Sequence, residues 1–189
     1  MSNVDEDGHG IVDWLKGKGC NLGFSSLCDP KPQPPPQDKQ QLVNAQDDAR
    51  KNPAFQPSGG TTHCNQATCS IVQSTGAPTG PLTDKNGTPA TANQQAQNLA
   101  NSSQYREVTP QEAQQIANNG GTVVVAYDNP NGHGHTATVR PEGVPGDSPP
   151  RGGRGPLIND IGRSVAVHNA NYTFRRGTEV HYYTPRGKP

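Results

Sequence analysis

The sequence predicts an α+β fold in which helices come first and an antiparallel sheet follows. Three observations carry this. A helical segment led by a cysteine and a Thr-Pro-Gln-Glu helix start both lie upstream of GTVVVAY at Gly121–Tyr127, the most strand-like run in the chain. Further strand candidates then succeed one another without a helix of crossover length between them. That order belongs to α+β folds and not to alternating βαβ units.

Taken in order, residues 1–38 read as a Pro-rich arm, because Pro30–Pro36 fixes φ repeatedly and removes backbone donors. The folded domain is placed at 39–189. Lys39–Lys51 offers Leu42, Val43, Ala45 and Ala49 as apolar anchors and reads as a helix lying on a surface. After Gly59 and Gly60, THCNQATCSIVQ starts a second helix, with Thr61 or Thr62 as N-cap, Cys64 in the first turn, and Ala67, Ile71 and Val72 turned to the core. Ser74–Ser103 is a loop followed by a polar Gln/Ala helix. Thr109–Glu112 forms a capping box with proline at the first helical position, and Asn118, Asn119 and Gly120 stop that helix. Strands follow at Gly121–Tyr127, His135–Pro141, within LINDIG, near Ser164–His168 and near Glu179–Thr184, as a meander. Tyr172, Phe174, Tyr182 and Tyr183 fill the core or cover the sheet.

Composition narrows the function classes. With 189 residues the chain holds one ordinary domain and an appendage. Only 29% of residues are hydrophobic and 5% aromatic, with 22 Gly and 19 Pro, so much of the chain must lie in loops. Lys plus Arg and Asp plus Glu balance at 16 each, which removes the global electrostatic argument for nucleic acid or an anionic membrane. The Arg151–Gly155 cluster reads as a solvated loop. No apolar run approaches the roughly 20 residues that span a bilayer, and the N-terminus lacks the apolar stretch of a secretory signal. Four cysteines do not make a disulfide framework; Cys20 and Cys28 could pair after export, which leaves Cys64 and Cys69 to be explained separately.

Cys64 carries the chemistry. A helix N-terminus lowers a thiol pKa through its unpaired N–H groups and the positive end of the dipole, and a nearby imidazole completes the activation. His135 opens a downstream strand after Gly134, and Asn159 or Asp160 on the next strand could orient its ring; adjacent strand residues point to opposite faces, so only one of the two can do so. The backbone N–H of Cys64 and a donor from the preceding loop could hold an oxyanion. Cys69 falls on another helical face and reads as a small buried residue. His133 is a rival base with turn residues as neighbours, His63 flanks the nucleophile, and no role follows for His168 or His181. Zinc on His133, His135, Cys64 and His63 is the competing chemistry, without a recognised spacing.

THCNQA, followed by GHTATVRP and then PLINDIG, resembles the bacterial papain-like cell-wall hydrolases: the NlpC-type endopeptidases, the CHAP amidases and the type VI secretion amidase effectors. The resemblance spans Gly59–Pro189. It implies a papain-like fold with Cys64 as nucleophile, His135 as base and Asp160 as orienting residue, with no cofactor or metal. The implied substrate is the peptide part of peptidoglycan, reached by secretion or by delivery to a target cell's periplasm or wall without a signal peptide. A cognate immunity protein is the implied partner; nucleic acid and a membrane span are not. Thr136 and Thr138 replace the family's apolar residues, which predicts a more exposed histidine strand, and no glutamine stands at a papain-like oxyanion position. Two rival functions use the same residues differently: a cysteine protease or deamidase acting on proteins, and a non-catalytic adaptor of a secretion or phage particle.

Overall fold

The computed structural model describes residues 39–187. The arm assigned to 1–38, with Trp14, Cys20 and Cys28, lies outside the described residues. Among the described residues, five helices and a six-stranded antiparallel sheet make the α+β architecture that the sequence predicts. Helix α1 is Lys39–Lys51, α2 Cys64–Ser74 and α3 Ala92–Ala100. Strand β1 is Tyr105–Val108, α4 Pro110–Asn118, β2 Val124–Tyr127, β3 His135–Val139, β4 Leu157–Ile161, β5 Val165–Asn169, α5 Ala170–Thr173 and β6 His181–Pro185.

The sheet order is β1-β6-β2-β3-β4-β5. Strands β2 to β5 form the expected meander. β6 departs from it, returning to lie between β1 and β2 and pairing with both. β1 and the short α5 have no counterpart in the sequence reading, because YREV and ANYT are too short and too polar to stand out as periodic runs.

Two apolar layers flank the sheet. On one face Cys69 and Val72 of α2 and Leu99 of α3 pack on Tyr105, Val124, Ala126 and Tyr183, while Leu42 and Ala49 of α1 join Ala67, Ile71 and Ile161. On the other face Ala113 and Ala117 of α4 cover Val125, Ala137, Val139 and Ile158 together with Phe174 and Tyr182. Of the capping box that the sequence shows at α4, the Thr109 half forms: Thr109 Oγ1 accepts from the Glu112 N–H at 3.2 Å, while the Glu112 carboxylate pairs with Arg106 at 2.8 Å.

The histidine strand is not exposed. Thr136 and Thr138 are buried against the helices, where each hydroxyl meets a buried glutamine: Gln46 Nε2 of α1 donates to Thr138 Oγ1 at 2.9 Å, and Thr136 Oγ1 donates to Gln95 Oε1 of α3 at 3.1 Å. A threonine there is a hydrogen-bonding core residue, and polar character misread as exposure is the source of the difference.

Where β3 ends, Arg140 is 1% exposed and holds three segments together. Its guanidinium donates to Asp147 Oδ2 at 2.8 Å, lies 2.8 Å from Asp47 Oδ1, and donates to Val43 O at 3.2 Å. The 142–156 loop and α1 are thereby clamped to the sheet. Removing one partner of a buried ion pair typically costs about 3–5 kcal/mol because the other charges stay buried. Arg140→Ala should therefore lower the unfolding free energy in urea titration by about 3 kcal/mol, and Asp47→Asn, at a more exposed position, by about 1 kcal/mol or less. A loss below about 1 kcal/mol for Arg140→Ala would show that the clamp contributes little.

Candidate active site

The chain reaches Cys64 through a tight turn. Gly59 and Gly60 both have positive φ, 57° and 81°, and Ser58 and Thr61 exchange backbone hydrogen bonds of 3.0 and 2.8 Å across them. Thr61 is thus spent on this turn, and neither it nor Thr62 caps α2. The N-cap is His63, whose side chain makes no capping bond. The N–H groups of the first turn are left facing forward, and that of Asn65 donates to the Cys64 sulfur.

His135 is placed by its neighbours. Asn93, at the head of α3, donates to Asn129 O at 3.1 Å and Gly132 O at 2.9 Å and accepts from the Asn129 N–H, which pins the β2–β3 loop. Gly134 packs so closely on Asn93 Oδ1 and Tyr127 O that a Cβ there would collide with both. The next residue, His135, therefore enters β3 at a fixed point.

Strands β3 and β4 pair only at Thr138–Asn159 and Val139–Ile158. Toward His135 and Gly162 no further ladder pair forms. The N–H of Arg140 bonds to Leu157 O, so the N–H groups of even-numbered β3 residues point at β4. That of Thr136 would continue the ladder; instead it donates to the Cys64 sulfur. The thiol at the head of α2 thus lies beside the start of β3, which β4 leaves unpaired, in hydrogen-bond contact with His135. On the far side of the ring, His135 Nε2 meets Asp160 Oδ1 at 2.7 Å. Since Nε2 is engaged by the carboxylate, Nδ1 is the nitrogen that serves the thiol. Gly162 lies against this pair: a Cβ there would fall 2.8 Å from His135 Cε1 and 3.2 Å from Asp160 Oδ1.

The electrostatics follow from these contacts. Burial opposes ionisation of Cys64, but the hydrogen bond and charge of His135, with the Thr136 and Asn65 N–H groups, outweigh it and lower the thiol pKa. Burial likewise disfavours a charged His135, and Asp160 and Cys64 override it, raising the ring to about 10. Asp160 is buried, which would raise it; the hydrogen bonds of His135, His168 and Thr173 hold it below the usual carboxylate range. All three shifts favour a thiolate beside an imidazolium beside a carboxylate.

The structure thus brings Cys64, His135 and Asp160 together. Asn159 is on the opposite face of β4 and does not meet His135, so it is not the third member; its amide is buried and has no hydrogen-bond partner among the described residues. His133 is exposed in the β2–β3 loop, and the histidine that acts on the thiol is His135. Among the described residues no three His, Cys, Asp or Glu side chains gather as a metal site, so the zinc set of His63, Cys64, His133 and His135 is not assembled. Cys69 is buried, with its thiol pushed up by burial. It lines a surface cleft of about 300 Å³ with Phe55, Gln66, Gln73 and Thr83, which does not include the Cys64 site.

Two contributors escaped the sequence reading. Gln95, wholly buried, donates to Asn65 O at 3.1 Å and to Leu82 O at 2.9 Å while accepting from Thr136 Oγ1. It links the residue after Cys64 to the residue after His135. In a Gln/Ala run nothing distinguishes it from its exposed neighbours. His168 contacts Asp160 across the β4–β5 hairpin, and there a signal exists: counting back from the short turn at Gly162–Ser164 puts His168 and Asp160 on one face.

No protein-family model matches this chain, and no curated protein matches it significantly.

Alkylation with iodoacetamide, followed by mass spectrometry of the Cys64 peptide, tests the ionisation state. The reaction should show a midpoint clearly below the roughly 8.5 of a free thiol. Asp160→Asn should raise that midpoint, and Gly162→Ala, which displaces the ring, should slow the reaction at pH 6 by about tenfold. An ordinary midpoint in the unaltered protein would refute the ion pair.

Proposed function

We propose that this protein is a papain-like cysteine hydrolase that cleaves an amide bond in the peptide part of bacterial peptidoglycan. The observation that carries the reading is the alignment of Cys64, His135 and Asp160 on one imidazole, with the thiol at a helix head. The order of a nucleophile helix followed by an antiparallel sheet carrying base and orienting residue is in keeping with a papain-like arrangement. The resemblance of THCNQA, GHTATVRP and PLINDIG to cell-wall hydrolases supplies the substrate class.

In this mechanism the Cys64 thiolate attacks the scissile carbonyl, and the oxyanion develops beside the backbone N–H of Cys64, which has no intrahelical acceptor at the first position of α2. The His135 imidazolium gives its proton to the departing amine as the carbon–nitrogen bond breaks, leaving a thioester. Neutral His135 then takes a proton from water, whose oxygen attacks the thioester; the acid departs and the thiolate–imidazolium pair is restored. Asp160 keeps Nε2 protonated throughout and stabilises the imidazolium. As a secreted or cell-delivered enzyme against a bacterial wall, the protein would be blocked at the Cys64 site by a cognate immunity protein.

Purified peptidoglycan fragments incubated with the protein should give new amide-cleavage products by mass spectrometry, absent with Cys64→Ala. Intact fragments alongside a fast-alkylating Cys64 would redirect the reading to a protease or deamidase acting on proteins; an inert Cys64 would leave a non-catalytic adaptor. The rate should be bell-shaped in pH. It falls on the acid side as Cys64 becomes protonated at its lowered pKa, and on the alkaline side as His135 loses its proton near 10.

A further inference from the structure

Asp160 binds more than His135. Its second oxygen, Oδ2, accepts from the Thr173 hydroxyl at 2.6 Å and lies 3.2 Å from His168 Nε2, which is also 2.7 Å from Thr173 Oγ1. An ionised carboxylate only accepts, so the single hydroxyl proton of Thr173 goes to Oδ2. Thr173 Oγ1 must then accept from His168, and His168 carries its proton on Nε2. The result is a directed chain from His168 through Thr173 to Asp160, arriving at the oxygen opposite the one that serves His135.

The elements behind this chain are held firmly. Thr173 is the last residue of α5, a helix too short to be stable alone. It is fixed from outside: the Ala170 N–H donates to Pro156 O at 2.9 Å, Arg154 N–H to Asn171 Oδ1 at 2.6 Å, Asn169 Nδ2 to Gly155 O at 2.9 Å, and Tyr172 Oη to Arg151 O at 3.0 Å. The Arg151–Gly155 cluster, which reads as a solvated loop, is thus the backing of α5. His168 is fixed by β5 and by the Tyr172 ring, 5.9 Å away between centroids.

We propose that Thr173 and His168 are positioning residues of the reaction, which hold Asp160 with one oxygen directed at His135 and so maintain the thiolate–imidazolium pair at Cys64. The inference rests on Cys64 being the nucleophile. Without the Thr173 donor the carboxylate gains rotational freedom, and its hydrogen bond to His135 weakens in the charged state that the reaction requires. A merely structural role would alter the melting temperature and leave the thiol's ionisation where it was.

The test is the pH profile of Cys64 alkylation in the full chain, alongside thermal melts. Thr173→Val, which keeps the shape and removes the donor, should move the midpoint upward and cut the rate at pH 6 by about three- to tenfold. Thr173→Ser should restore the rate to within about twofold. His168→Leu should shift the midpoint in the same direction, and His168→Gln, whose amide can still donate to Thr173, should shift it less. A lowered midpoint in the unaltered protein with no change in Thr173→Val or His168→Leu would overturn this proposal alone. An ordinary midpoint in the unaltered protein would overturn the nucleophile reading, and this proposal with it.

Discussion

The contact on which the site depends is the hydrogen bond between His135 Nε2 and Asp160 Oδ1. A helix N-terminus stabilises a negative group by about 0.3–1 kcal/mol, less than the 1.36 kcal/mol that corresponds to one pKa unit. The head of α2 alone is therefore too weak to keep a buried thiol ionised. A charged imidazole beside the thiol is needed, and a buried imidazole stays charged only if a carboxylate holds its other nitrogen. The remaining features serve that requirement: the β3–β4 ladder stops short of Thr136, whose N–H turns to the sulfur, Gly162 leaves room for the ring, and Gly134 with Asn93 fixes where the strand begins.

Buried polar contacts do much of the joining in a chain with so few apolar residues. Gln46 ties α1 to β3, Gln95 ties α2 to α3 and β3, and Arg140 ties α1 to the 142–156 loop. Each is nearly inaccessible to water and has its polar atoms paired. Such groups stabilise modestly when satisfied and cost heavily when one partner is removed, so they select one arrangement of the helices over its near alternatives. For a site that needs three side chains aligned across a helix and two strands, that selectivity matters more than the gross stability.

The sequence marks the elements whose signals are local. α1 has its predicted bounds, α2 begins at the cysteine, and α4 starts at its Thr109 cap, because caps and helical periodicity are written within a few residues. Cys64, His135 and Asp160 are legible for the same reason, each standing at an element end or on a short motif. What is not legible depends on distant partners. Thr136 and Thr138 reveal their burial only once Gln95 and Gln46 are placed opposite them, and β6 reveals its place only once β1 is known to exist. Sequence neighbours alone say nothing of Gln95, whose three bonding partners come from three different segments.

The position of β6 has a consequence for how the molecule comes to be. The strand that fills the space between β1 and β2 is the last of the described strands, so those two remain unjoined until it has been synthesised. The β2–β3 and β4–β5 hairpins are local and can close early, whereas the final pairing brings together residues far apart in the chain and must await loop closure. Maturation of the sheet is therefore tied to the emergence of β6 from the ribosome, and a nascent chain lacking that strand would carry Cys64, His135 and Asp160 on a sheet still in two pieces.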